Sequence, residues 1–255
     1  VGELAELIGR KTQRNPLFAR HLLHLLADDG LLAYDAETAS WRWSLEQLAS
    51  HPGADTVGDL MARRFEQLPA AAQAVLRVMA CLGHRSSDDA LALAMDVQPG
   101  TEAARRLQAA LDDAREAGSI QRDGEDWVFW HDRIREAAYG SIPPAERPRM
   151  HLRIVRRQLR QAPDPARVFS LAAQASLARL AVEAPQERRD FARLNLEAGR
   201  QAKAATAHHS ALGFFRAALA FLGEDDTSED GLHARALCGE AEFMTGSLEA
   251  AEARL

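Results

Sequence analysis

A histidine and an aspartate stand side by side where a short apolar run gives way to a helical pattern. The apolar run is Trp127-Val128-Phe129-Trp130, the pair is His131-Asp132, and Arg133-Ile134-Arg135-Glu136-Ala137-Ala138-Tyr139 follows. A strand-to-helix turn exposes backbone N–H groups and the positive end of the helix dipole, so it suits an anionic ligand or a charged partner element. The turn therefore raises the question of a phosphate. A second set, Arg149, Arg153, Arg156 and Arg160, falls on one helical face, with Met150, Ile154, Val155 and Leu159 on the other. That face reads either as a solvated surface answering acidic neighbours or as a docking surface for an acidic element or a nucleotide elsewhere in a longer protein.

Other groups point away from catalysis. His21 with His24, and His208 with His209, have no Cys, Asp or Glu spaced to complete four ligands, so no metal site is expected. Cys81 lies in an apolar helix and reads as core. Ser86-Ser87-Asp88-Asp89 reads as a helix start with acids near the positive dipole end. No nucleophile elbow or oxyanion motif accompanies the serines. Nowhere does Gly-x-x-x-x-Gly-Lys-Ser/Thr occur, and no apolar strand ends in paired acids that would hold Mg²⁺. The chain is therefore expected to be no enzyme and to bind no cofactor by itself.

The elements that position these residues are mostly helices. A helix is expected over 16–28, with Asn15 as N-cap, Pro16 at the first helical position and Gly30 as stop, its stripe formed by Leu17, Phe18, Leu22, Leu23, Leu25 and Leu26. Trp41-Arg42-Trp43 alternates like a short strand within a stretch, 36–56, that otherwise reads as a loop with a weak helix near Leu45 to Leu48. Helical patterns then cover 57–67, 70–81, 87–95 and 101–117, separated by Pro69, Gly83 and Val97-Gln98-Pro99-Gly100. Strands over 119–122 and 127–130 flank Asp123-Gly124, which suits a tight hairpin. Helices follow over 146–160, 165–182, 186–205, 206–222, 228–245 and from 247 onward.

Three helices, a hairpin and a further helix make a winged-helix order, and charge decides against the usual nucleic-acid partner. The helix over 101–117 carries Arg105, Arg106 and Arg115 against Glu102, Asp112, Asp113 and Glu116, and the wing sets Arg122 against Asp123, Glu125 and Asp126. Such a surface repels a phosphate backbone. The net charge of −6 points the same way. Two cysteines give no disulfide scaffold, so a reducing cytoplasm is the expected location. No run approaches the roughly 18–20 apolar residues of a membrane span, and no membrane partner is expected. Val1 in place of Met, and Leu255 inside an apolar-periodic helix, read as cut ends.

In the last third, Gly199, Ala211, Phe215 and Ala218 match the small and large positions of a tetratricopeptide-like helical pair, and Gly239, Gly246, Ala251 and Leu255 restart a similar pattern. Small residues at that spacing let antiparallel helices approach, with Phe215 filling the gap to the next pair. The expected fold is mainly α: a lid-helix region over 1–56, a winged helix with a small β-hairpin over 57–143, and tetratricopeptide-like antiparallel repeats over 144–255.

This order of modules resembles the STAND class of AAA-like signalling ATPases, often bacterial. Thr12-Gln13-Arg14-Asn15-Pro16-Leu17-Phe18, with His21-Leu22-Leu23 and Asp28-Asp29-Gly30-Leu31-Leu32 after it, is similar to the Gly-Asn-Pro-Phe segment that opens their lid helix. Phe129 to Tyr139 resembles their Phe-x-His-Asp-x-hydrophobic-x-Glu-Ala-x-Tyr motif, and Leu194 to Lys203 the opening of their repeat region. By that resemblance His131 reaches the β-phosphate of ADP and holds the closed state, while Pro16, with Asn15 beside it, packs near the adenine. The resemblance implies ATP or ADP with Mg²⁺ on an ATPase core in cis, a protein or small-molecule inducer at the repeats, and an output domain such as a histidine kinase, a cyclase or a DNA-binding module. Two departures stand out: Arg14 replaces the family's Gly, and Trp130 precedes His131 where related eukaryotic switch proteins have Met. A stand-alone helical interaction scaffold without nucleotide dependence is the alternative from a different class.

Overall fold

Leu7 and Ile8 are the buried side of α1 (Gly2–Lys11), a helix not among those expected although Leu4, Leu7 and Ile8 recur at helical spacing. Just past its end Thr12, 1% exposed, donates its hydroxyl to the Ile8 carbonyl at 2.7 Å. The expected lid helix forms as α2 (Pro16–Asp28). The Asn15 carbonyl accepts the Ala19 N–H at 2.9 Å, so Asn15 is the N-cap and Pro16 occupies a position where a missing N–H costs nothing. At the other end Gly30 takes φ +71°, its N–H reaching Ala27 and the Leu31 N–H reaching Leu26, the Schellman arrangement that a side chain with a Cβ resists. Of the expected stripe, Leu22 and Leu26 are buried, while Leu23 is 36% exposed. Leu17, Phe18 and Leu25 lie outside the described side chains.

The computed structural model describes residues 2–12, 14–50, 65–161 and 164–254. Within 36–56, read mostly as loop, β2 (Ser40–Trp43) pairs antiparallel with β1 (Leu32–Asp35), and α3 (Leu45–Ser50) follows. The strand β1 escapes sequence reading because four residues give too short a period to register without a partner. Of the helix expected over 57–67, residues 65–67 are helical and the remainder lies outside the described residues, as do Gln13 and Leu255.

Next come α4 (Ala70–Leu82), β3 (Arg85–Ser87), α5 (Asp88–Met95), α6 (Glu102–Glu116), β4 (Ile120–Asp123), β5 (Asp126–Phe129) and α7 (Asp132–Gly140). The sheet order is β3-β5-β4, all antiparallel, with Ile120 opposite Phe129 and Ser86 opposite Trp127. Strand β3 went unforeseen, since Arg85-Ser86-Ser87 is polar and reads as a helix start. Helix α4 buries Ala72, Val75, Leu76 and Met79, the one-sided spacing of a core helix, and Cys81 with them. Trp127 and Phe129 are each 2% exposed. By contact the chain divides into two units, residues 1–88 with 105–141 and residues 89–104 with 142–255.

The second unit is a run of helices, each packed on the next: α8 (Arg147–Gln158), α9 (Val168–Ala178), α10 (Pro185–Ala204), α11 (His208–Leu222), α12 (Glu229–Met244) and α13 (Leu248–Arg254). Short 3₁₀ turns, Pro165–Arg167 and Arg179–Ala181, flank α9. Gly199 on α10 makes the first close approach possible. A Cβ there would meet the Phe215 ring of α11 at 2.3 Å, and Phe215, Ala211 and Ala218 are all fully buried. Burying one phenyl contributes about 1.5–3 kcal/mol, so this contact anchors the pair. In the second pair Ala251 is buried and Gly246 takes φ +84° in the turn before α13.

Four polar side chains, His151, Gln174, Asn195 and Glu242, are buried here with partners. His151 of α8 lies 2.7 Å from Gln174 of α9 through Nδ1, and Asn195 of α10 accepts from the Ser176 hydroxyl while donating to the Phe191 carbonyl. Glu242 of α12 is fully buried, held by Arg216 at 3.1 Å and Arg254 at 3.0 Å. Burial pushes the Glu242 carboxyl up, but hydrogen bonds from the two guanidiniums outweigh it and hold it below the usual range. Burial also drives the neighbouring Cys238 thiol up to about 11. Cys238 is thus an inert core thiol. The fold is mainly α with two small antiparallel sheets.

Candidate functional site

The His131 turn is built by the sheet before it. Phe129 donates its N–H to the His84 carbonyl at 3.2 Å, and Trp130 donates to the Ser119 carbonyl at 3.1 Å, which fixes the chain as it leaves β5. His131 is extended, with φ −154° and ψ 145°, and is the N-cap of α7: its Nδ1 accepts the Arg133 N–H at 3.1 Å. With Nδ1 an acceptor, the neutral ring carries its proton on Nε2. The turn thus offers an anionic group the positive end of the α7 dipole.

The surrounding charges weaken that offer when the turn stands by itself. Asp132 occupies the first turn of α7, two-thirds exposed, with His84 Nδ1 at 3.4 Å and Arg135 at 3.7 Å, while Arg133 is tied to Glu136 at 2.8 Å. A carboxylate beside the positive dipole end already answers it, so a free anion gains little there.

The loop before α2 holds a left-handed turn at a non-glycine residue. Arg14 takes φ +58°, a left-handed conformation that costs an L side chain about 1 kcal/mol or more, and its N–H closes on the Gly9 carbonyl at 2.8 Å. Its guanidinium adds an exposed cation there. Pro16 is exposed and Asn15 partly so. These two open α2, packed chiefly with β1 and α1, whereas His131 opens α7, packed on α4 and β5.

The four arginines of the basic face are all exposed, but they are not equivalent. Arg156 makes a two-pronged ion pair with Glu187 of α10, both contacts at 2.7 Å, so its guanidinium is engaged within the unit. Arg149 and Arg153 project from α8, and Arg160 lies in the turn beyond it. On the opposite face Ile154 and Val155 are buried as expected, but Leu159 is 47% exposed because α8 ends at Gln158.

On the wing the cations are spent internally. Arg122 binds Asp88 at 2.6 Å and stacks 4.1 Å above the Trp127 ring, whose Nε1 donates to the same Asp88 at 2.8 Å. Arg85 pairs with Asp126 at 2.9 Å and with Asp123, contacts that hold its guanidinium pKa up. Sequence reading passed over one constellation, a groove between α2 and the β1–β2 hairpin lined by Arg20, Trp41 and Trp43. Its signal was available: Arg20, Leu23, His24 and Ala27 share helical spacing.

No protein-family model matches the chain. It is 22% identical over 286 aligned residues to hybrid signal transduction histidine kinase G of Dictyostelium discoideum, an alignment covering 89% of this chain and 8% of that protein. The chain thus spans less than a tenth of that relative. Among solved structures it is similar to a signal transduction ATPase with numerous domains carrying a tetratricopeptide repeat sensor, from Pyrococcus horikoshii, at 16% identity and a TM-score of 0.43. That match covers 78% of this chain and 33% of the other. Among the described residues no helix is long and apolar enough to cross a membrane, and no three His, Cys, Asp or Glu side chains converge to hold a metal ion.

Proposed function

We propose that this chain is the lid, winged-helix and repeat portion of a nucleotide-switched signalling ATPase of the STAND kind. The observation that carries the reading is the His131 turn, where strand β5 passes into α7 and His131 caps the helix N-terminus through Nδ1. An adjoining ATPase core would bring ATP or ADP with Mg²⁺ to this turn. His131 would then meet the β-phosphate, with Pro16 and Asn15 near the base. The similarity of 89% of the chain to part of a hybrid signal transduction histidine kinase supports a signalling context.

The winged helix in this reading packs on protein and not on nucleic acid, because Arg85 and Arg122 are neutralised within the wing. The repeats receive a protein or small-molecule inducer, and Arg149 and Arg153 of α8, with Arg160 in the turn beyond it, are the cations offered to an acidic partner. In the intact protein His131→Ala loosens the closed state and raises basal output, because a contact made only in that state is lost. Unchanged basal output from a normally folded variant contradicts the sensor role. By itself the chain neither hydrolyses ATP nor binds it tightly; isothermal titration showing micromolar ATP affinity for this chain would overturn that assignment.

A further inference from the structure

Arg20, Leu23, His24 and Ala27 of α2 recur at offsets of three, four and seven and so lie along one face of the helix. The β1–β2 hairpin sets Leu32 opposite Trp43 and Tyr34 opposite Trp41, which places these four side chains on one side of the two-stranded sheet. Between helix face and hairpin runs a groove of about 640 Å³, with Leu4 of α1 at its edge. That volume is in the range of small-molecule sites, about 300–1,000 Å³, and the lining has their character, apolar and aromatic with a few polar groups.

The aromatic wall is held open. Trp41 is 53% exposed, and Tyr34 meets it edge-on at 5.3 Å, which fixes the indole without covering it. Among the described residues Arg20 is the one cationic guanidinium lining the groove, His24 adds an imidazole, and no carboxylate lines it. We propose that this groove binds a small planar aromatic carboxylate, its ring against Trp41 and Trp43 and its carboxylate on the Arg20 guanidinium. Arginine's planar fork matches a carboxylate in two-pronged fashion, and the indole faces match a fused ring. A ligand of the opposite charge finds no acid to receive it. The site lies on a different face of chemistry from the nucleotide reading and stands or falls independently of it.

The test is titration calorimetry of the whole chain with 2-naphthoate and, separately, with 2-naphthylmethylammonium, the same ring bearing a cation. The naphthoate binds saturably with a Kd below about 1 mM, and the ammonium does not bind. Arg20→Gln and Trp41→Ala each weaken the naphthoate about tenfold or more, whereas Leu180→Ala, at an exposed leucine of the second unit, leaves it unchanged. Circular dichroism confirms that the surface variants fold. No saturable binding, equal binding of the ammonium, or full affinity in Arg20→Gln overturns the proposal, as does a groove that takes only a peptide.

Discussion

At the scale of single residues, the sequence motif and the geometry meet at His131. The residue type and its place before Asp132 were legible, because a strand signal and a helix signal abut there. The role of its Nδ1 as the cap of α7 was not, since it depends on where the Arg133 N–H comes to rest. Arg14 shows the limit from the other side. Its type argues against a left-handed turn, yet the bond from its N–H to Gly9 and the start of α2 two residues on impose φ +58°. His151 offers a residue-scale prediction. Burial lowers its pKa below the ordinary 6.5, with the Gln174 contact opposing in part. The unfolded chain therefore takes up the proton first as pH falls, so the stability contribution is full above about pH 6.5 and is lost below it. Urea unfolding between pH 8 and about 5 is expected to show the second unit weakening, with His151→Gln flattening that dependence; an equal slope in both proteins contradicts it.

At the scale of elements, the helical repeats were the most legible part and the strands the least. Helices α10 to α12 lie within two residues of the expected bounds because long amphipathic patterns carry their own period. Strands β1 and β3 carry none: each is three or four residues long and is defined by the partner it pairs with. The small-residue pattern at Gly199 was readable as close helix approach, and the structure gives it a partner, the Phe215 ring. Gly199→Ala is thus expected to destabilise the α10–α11 pair by about 1–3 kcal/mol, the cost of overpacking. In a Phe215→Ala background the same change costs little, since the ring it strikes is gone. Additive losses in the double variant, read by chemical unfolding, count against this packing account.

At the scale of the whole molecule, composition excluded more than it assigned. The acidic balance and the absence of a phosphate loop argued against nucleic-acid binding and autonomous ATP chemistry, and the structure adds that Arg85 and Arg122 pair with Asp126 and Asp88. The groove of Arg20, Trp41 and Trp43 was invisible at this scale and the last, because its walls come from α2 and a hairpin half of which had no sequence signal. The central claim is that His131 contacts a nucleotide held by an adjoining ATPase core. Its most direct test is ADP affinity, measured by titration on the polypeptide that joins this chain to that core, for wild type and His131→Ala. A hydrogen bond to a charged oxygen is worth about 1.5–3 kcal/mol, so the variant should bind ADP roughly 10- to 100-fold more weakly. Equal ADP affinity in a folded variant would contradict the account.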